Sequence, residues 1–179
     1  MLLLGANDAA LPRSPSKQHV PLENYHQNLK TILNHPILKS HNAKILLVTP
    51  PPIHEVHLEA EDLAKGASQI TREQNTTSQY AQVVREIASE FAEQNVVLVD
   101  INKALLDEAV RRTPGIFVGD KNLLGTLQAG DSQGLRELLI DGLHLTGAGY
   151  KVFLDAILPH IGQRWADEPF HNPTSWVFP

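Results

Sequence analysis

The 179-residue chain contains no cysteine, which removes disulfides, thiolate nucleophiles and cysteine-based metal sites from consideration. It is also short of positive charge: 15 Lys and Arg stand against 20 Asp and Glu, a formal net charge of -5. The basic residues are scattered, with no run longer than Arg111–Arg112. Phosphate backbones need a dense positive field, so no nucleic-acid partner is expected. No apolar run approaches the ~20 residues that span a bilayer, so no membrane span is expected. The opening Met1-Leu2-Leu3-Leu4-Gly5 is too short for a signal-peptide core and has no basic residue before it. These absences fit a reducing compartment, and a cytoplasmic location is the expectation. Without a secretion signal, the sequon Asn75-Thr76-Thr77 reads as a helix cap region rather than a glycosylation site.

What is present suits one domain with a proper core: 42% of residues are hydrophobic, enough to bury on both sides of a sheet. Three aliphatic runs read as strands: Leu2–Leu4, Lys44–Thr49 and Val96–Val99. They lack polar alternation, as strands of a parallel sheet covered on both faces do. Helical spacing recurs between them. Leu22, Tyr25, Leu29, Ile32 and Leu33 form one stripe, ending before Pro36. Tyr80, Val83, Val84, Ile87 and Phe91 form another, with Thr76–Ser78 as cap candidates. A last helix should follow Thr146, with Tyr150, Phe153, Leu154, Ile157, Ile161 and Trp165 on one face, kinked or shortened at Pro159. The alternation of strand and helix predicts an α/β fold with right-handed crossovers. Ala9–Val20 and Pro114–Gly134 read as loops, and the tail from Asp167 to Pro179, with Trp176 and Phe178, should pack against the body.

Two short motifs carry chemistry. In Asp141-Gly142-Leu143-His144-Leu145-Thr146, an acid stands three residues before a histidine in a glycine-containing turn. Its carboxylate can accept from imidazole Nδ1–H, fixing the tautomer and leaving Nε2 free as a general base. A helix N-terminus with an incidental histidine is the plainer reading. Gly5-Ala6-Asn7-Asp8 directly follows the first apolar run. Working groups in open α/β sheets sit at the carboxyl ends of strands, and an asparagine amide there can donate to a developing oxyanion. By itself the tetrapeptide reads first as a plain Asn/Asp turn.

Together the two are more specific. Gly5-x-Asn7-Asp8 after a strand, and Asp141-x-x-His144-x-Thr146-x-x-Gly149-Tyr150 near the C-terminus, resemble the third and fifth blocks of the SGNH or GDSL hydrolases. The likeness runs from Leu2 to about Trp165. Through Gly5–Leu11, His19–Tyr25, Val48–Pro52 and Asp141–Tyr150 it is greatest to the isoamyl acetate-hydrolysing esterase branch. The resemblance implies a three-layer α/β/α, flavodoxin-like domain over residues 1–166, with 167–179 as a tail. It implies hydrolysis of a small carboxylic ester through a serine acyl-enzyme, with no metal or organic cofactor. Asn7 falls on the oxyanion-hole donor, and Asp141 and His144 on the acid and base of the triad.

The family's first block, a Gly-Asp-Ser that supplies the nucleophile, and its second, a glycine oxyanion donor, belong ahead of Leu2. Neither is in the chain, which reads as if it enters in mid-domain without its N-terminal strands. No nucleophile is therefore assigned. Gly130-Asp131-Ser132 spells the motif but follows no buried strand and comes after the asparagine block, so Ser132 is expected in an ordinary loop. The sequence leaves three readings: a truncated ester hydrolase, a short SGNH-like binding protein without catalysis, or an unrelated α/β binding module. His54 and His57 lack a nearby third ligand and are expected on a solvated face. Pro50-Pro51-Pro52 should shape a loop at the rim of the site.

Overall fold

The three aliphatic runs pair side by side, in chain order and all parallel, as β1 (Leu2–Leu3), β2 (Ile45–Val48) and β3 (Val96–Val99). The computed structural model describes residues 1–42, 44–113 and 124–161. Leu2 lies opposite Leu47 and Leu3 opposite Val48, while Ile45 to Val48 match Val96 to Val99 residue for residue. The helices that follow are α1 (Leu22–Leu33), α2 (Pro36–Ser40), α3 (Glu55–Ala64), α4 (Gln74–Glu90), α5 (Ile101–Arg112), α6 (Gln133–Leu138) and α7 (Gly147–Ile157).

Side chains along β2 and β3 point alternately to two apolar layers, which is why both strands are aliphatic at every position. Leu47 and Val96 pack with Tyr25 and Leu29 of α1 and with Tyr80, Val84 and Ile87 of α4. On the other face Leu46, Val48, Val97 and Val99 meet Phe153, Ala156 and Ile157 of α7. Leu105 and Ala109 of α5, Leu135 and Leu138 of α6, and Val152 of α7 close a third cluster beside the sheet. Leu47 is buried between strands and helices. Its truncation to alanine would cost about 2–5 kcal/mol. The chain is thus α/β, with helices on both faces of a parallel sheet.

Several details differ from the sequence reading. α4 begins at Gln74, ahead of Thr76–Ser78, and its first N–H is received by a side chain from α3: Gln74 N–H donates to Glu55 Oε1 at 2.7 Å. Thr77 lies inside the first turn, its hydroxyl bonded back to the Glu73 carbonyl. α7 does not turn all its apolar residues one way. Phe153 and Ile157 face the sheet, whereas Tyr150, Leu154 and Ile161 are exposed. This stretch is apolar around most of its circumference, so spacing alone cannot choose the inner face. The helix stops at Ile157, and Pro159 falls in the short 3-10 turn Leu158–His160 that replaces its next turn. Trp165, the tail with Trp176 and Phe178, and residues 114–123 of the Pro114–Gly134 loop lie outside the described residues, while Gln133 and Gly134 at its end belong to α6.

Candidate active site

β1 ends at Leu3, and the chain reverses at Gly5, whose φ of 108° belongs to glycine. A Cβ there would lie 2.7 Å from the Tyr25 hydroxyl, which donates to the Leu4 carbonyl. Gly5 N–H donates to Asp8 Oδ2 at 3.1 Å, and Ala9 N–H to the Gly5 carbonyl at 2.9 Å. These bonds close the turn and leave Asn7 exposed at its crest.

The second turn precedes α7. The Asp141 carboxylate accepts three hydrogen bonds from its own loop. Oδ1 takes Leu143 N–H at 3.0 Å and His144 N–H at 2.8 Å, and Oδ2 takes the His144 ring at 2.8 Å through Nδ1. Burial would raise this carboxyl, but the His144 and Leu143 donors outweigh it and hold its pKa at about 2. An ionised carboxylate only accepts, so Nδ1 carries the proton and Nε2 presents a lone pair. Asp141 is three-quarters shielded, whereas the His144 side chain stands 71% exposed, open to a reactant. The turn is seated from outside as well. His54 N–H donates to the Gly142 carbonyl, Ile140 N–H to the His144 carbonyl, and Thr146 caps α7 through Gly149 N–H.

The two turns share one cleft of about 320 Å³. Asn7 and His144 line it with Gly5, Leu143 and Tyr150, and Pro51 of the proline run lines it too. The pocket is predominantly apolar in its lining, with Leu3, Leu4, Ile101 and Phe153. Such an arrangement can hold a small apolar acyl or alkyl group beside a base and an amide donor. No serine lines it among the described residues. Ser132 is buried elsewhere, where its hydroxyl caps α6 by accepting from Leu135 N–H. The structure thus brings Asn7, Asp141 and His144 together and keeps Ser132 away.

Sequence reasoning misplaced one histidine and missed two neighbours. His54 is not on a solvated face: its side chain is fully buried at the head of α3, and His57 is half-buried. His54 Nε2 accepts Ser132 N–H at 3.1 Å, and burial, set against the nearby Asp131, pushes its pKa down to about 4. Among the described residues no cluster of three or more His, Cys, Asp or Glu could hold a metal ion. Glu55 joins three segments: Oε1 takes Gln74 N–H, Oε2 takes Leu127 N–H, and its own N–H reaches the Gly125 carbonyl. Arg72 is buried against the Asn7 turn. Neither residue has a local sequence signal, because each is defined by partners more than fifteen positions away.

A family model described as GDSL-like lipase/acylhydrolase matches residues 1–157. The chain is 28% identical to the mouse isoamyl acetate-hydrolyzing esterase 1 homolog, over 96% of this chain and 59% of that protein. It is 32% identical to a GDSL esterase/lipase of Arabidopsis thaliana over 96% of this chain and 64% of the relative. Against the isoamyl acetate-hydrolyzing esterase of Saccharomyces cerevisiae it is 27% identical, over 88% of this chain and 53% of that enzyme. The chain therefore spans about three-fifths of the length of these relatives. Among solved structures, a lipase/acylhydrolase from Enterococcus faecalis shares the fold. Its TM-score is 0.55 at 23% identity, covering 90% of this chain and 60% of the other.

Proposed function

The chain belongs to the GDSL-like lipase/acylhydrolase family, and on that footing we propose that it carries the base and oxyanion side of a carboxylic-ester hydrolase for small esters. The observation that supports this most directly is the Asp141–His144 pair, 2.8 Å apart, opening into the same apolar cleft as Asn7.

In the complete reaction a serine hydroxyl attacks the ester carbonyl. His144 Nε2 takes the serine proton as the new C–O bond forms, and returns it to the alkoxide that leaves. Asp141 stays ionised, accepting from Nδ1–H and stabilising the imidazolium. The Asn7 amide donates to the carbonyl oxygen as it gains negative charge. A single donor of this kind is worth ~3–4 kcal/mol in comparable sites. Water then repeats the sequence on the acyl-enzyme. The serine would come from the block that the family resemblance sets ahead of Leu2. The apolar walls at Leu4 and Phe153 favour a short alkyl or acyl chain, in keeping with the isoamyl acetate named for the relatives. No helix among the described residues is long and apolar enough to cross a membrane.

Among the described residues no serine lines the cleft, and on that ground a second reading of the chain by itself is a ligand-binding protein without turnover. Two measurements decide. Isoamyl acetate added to the isotope-labelled chain should perturb the NMR signals of Asn7 and His144; no perturbation sinks the ester reading. Hydrolysis of p-nitrophenyl acetate should run no faster than in a His144→Ala control. Robust turnover abolished by Ser132→Ala would instead make Ser132 the nucleophile.

A further inference from the structure

Arg72 belongs to a loop between α3 and α4, far in sequence from either motif, yet its side chain ends inside the Asn7 turn. The residue is 7% exposed. Its backbone bridges Ala10, and the neighbouring Thr71 carbonyl receives Leu11 N–H at 2.9 Å, so this loop lies alongside the segment that follows Asn7. From there the guanidinium forks. Nε donates to the Ala6 carbonyl at 3.1 Å, and Nη2 donates to Asn7 Oδ1 and to Gln18 Oε1, both at 3.3 Å.

We infer that Arg72 is the positioning residue that turns the donor end of the Asn7 amide into the cleft. The inference rests on the ester-hydrolase reading of the site and names the group that prepares its oxyanion donor. Guanidinium has only donors. The atom of Asn7 facing it must be the carbonyl oxygen, which leaves the NH₂ on the opposite side. An exposed asparagine without such a partner can rotate its amide by half a turn and present the oxygen instead. That orientation repels a developing oxyanion. With Oδ1 held by a cation, the amide is also polarised, so its N–H groups become stronger donors.

Lysine cannot replace this arrangement. A single ammonium on a flexible stem lacks the fixed fork that reaches Ala6 and Asn7 from two nitrogens. Burial lowers the Arg72 pKa from its ordinary value, and the carboxylates of Asp62 and Asp141 oppose that shift. Arg72 thus lies under the electrostatic influence of the same Asp141 that holds His144.

The test reads the amide directly, on the whole chain labelled with ¹⁵N. In Arg72→Lys, the Asn7 Nδ2 and Hδ2 resonances should shift toward those of a free, solvent-exposed asparagine, while signals from α4, α5 and α7 stay in place. Unchanged Asn7 side-chain resonances in a folded Arg72→Lys would overturn the inference. Should that variant fail to fold, Asn7→Ala decides, because Asn7 is exposed and its truncation leaves the core intact. It should shift the Arg72 Nη resonances; an unmoved guanidinium rejects the positioning role. Both readouts are ligand-free. A wild-type chain whose Asn7 amide ignores isoamyl acetate would defeat the ester reading while leaving the Arg72–Asn7 result standing on its own. Where the ester does shift that amide, the shift should be lost in Arg72→Lys.

Discussion

Gly142 is pressed against the backbone of His54: their main chains share a hydrogen bond of 2.9 Å, and a Cβ on Gly142 would lie 2.7 Å from the His54 carbonyl oxygen. The same Cβ would meet Leu58 N at 2.7 Å, and the residue's φ is 81°. Gly142→Ala therefore combines a left-handed backbone with overlap against rigid helix atoms. It should destabilise the fold by at least about 2 kcal/mol, read as a lower urea midpoint with an unchanged slope. The Asp141–His144 turn should move away from α3, seen as shifted His144 resonances.

Asp141→Asn keeps the side-chain shape and removes the charge. The ring then loses the acceptor that holds its proton on Nδ1, and ¹⁵N imidazole shifts should report a tautomer moved toward Nε2–H. The variant also probes acid stability. The folded carboxyl sits at about 2, below its unfolded value of 3.8. Its contribution, about 2 kcal/mol, is present above pH ~4 and is lost as pH falls toward 2. Asp141→Asn should show a shallower loss of stability across that window. An identical acid profile would remove the Asp141–His144 bond as a source of stability.

His54 sets a second, higher window. Its folded pKa is pushed down to about 4 by burial, with Asp131 opposing and Arg136 and His57 adding to the depression, against 6.5 unfolded. Between those values the unfolded chain binds a proton that the folded chain refuses. Stability should therefore fall as pH drops from 6.5 to 4, by up to about 3 kcal/mol. His54→Gln can still accept Ser132 N–H through its amide oxygen. Denaturation of this variant at pH 7 and pH 4.5 should show a smaller difference than wild type.

The outward edge of β1 is unpaired among the described residues, and Leu3, Leu4 and Tyr150, which line the cleft beside it, are exposed. An uncovered strand edge beside apolar side chains invites pairing with another chain. Light scattering should show association that grows with concentration. Leu4→Glu should weaken it, because a charge beside that edge opposes burial. A monomer at all concentrations would mean that another part of the chain covers the surface.

The parts of the fold legible in the sequence were those with a local cause. β2 and β3 are aliphatic at every position because both faces are covered, so their runs stand out. Asp141 and His144 were legible because the bonds between them span three residues. What escaped depended on partners distant in the chain. Burial of His54 is decided by Ser132, seventy-eight positions away, and the place of Arg72 by Ala6 and Asn7, more than sixty positions away. The inner face of α7 escaped for the opposite reason, since apolar residues on several sides offered more than one stripe.

The loop around Asp141 has one further consequence. Every bond that aims the His144 ring starts and ends within four consecutive residues. The aim of the imidazole is therefore inherited from chain register, not from the docking of distant segments. Lengthening a surface loop elsewhere can displace the whole motif as a unit without rotating the ring inside it. Inserting a single residue between Gly142 and His144 would carry the imidazole away from its carboxylate altogether. Over long divergence, such a loop should tolerate almost no change in its own length.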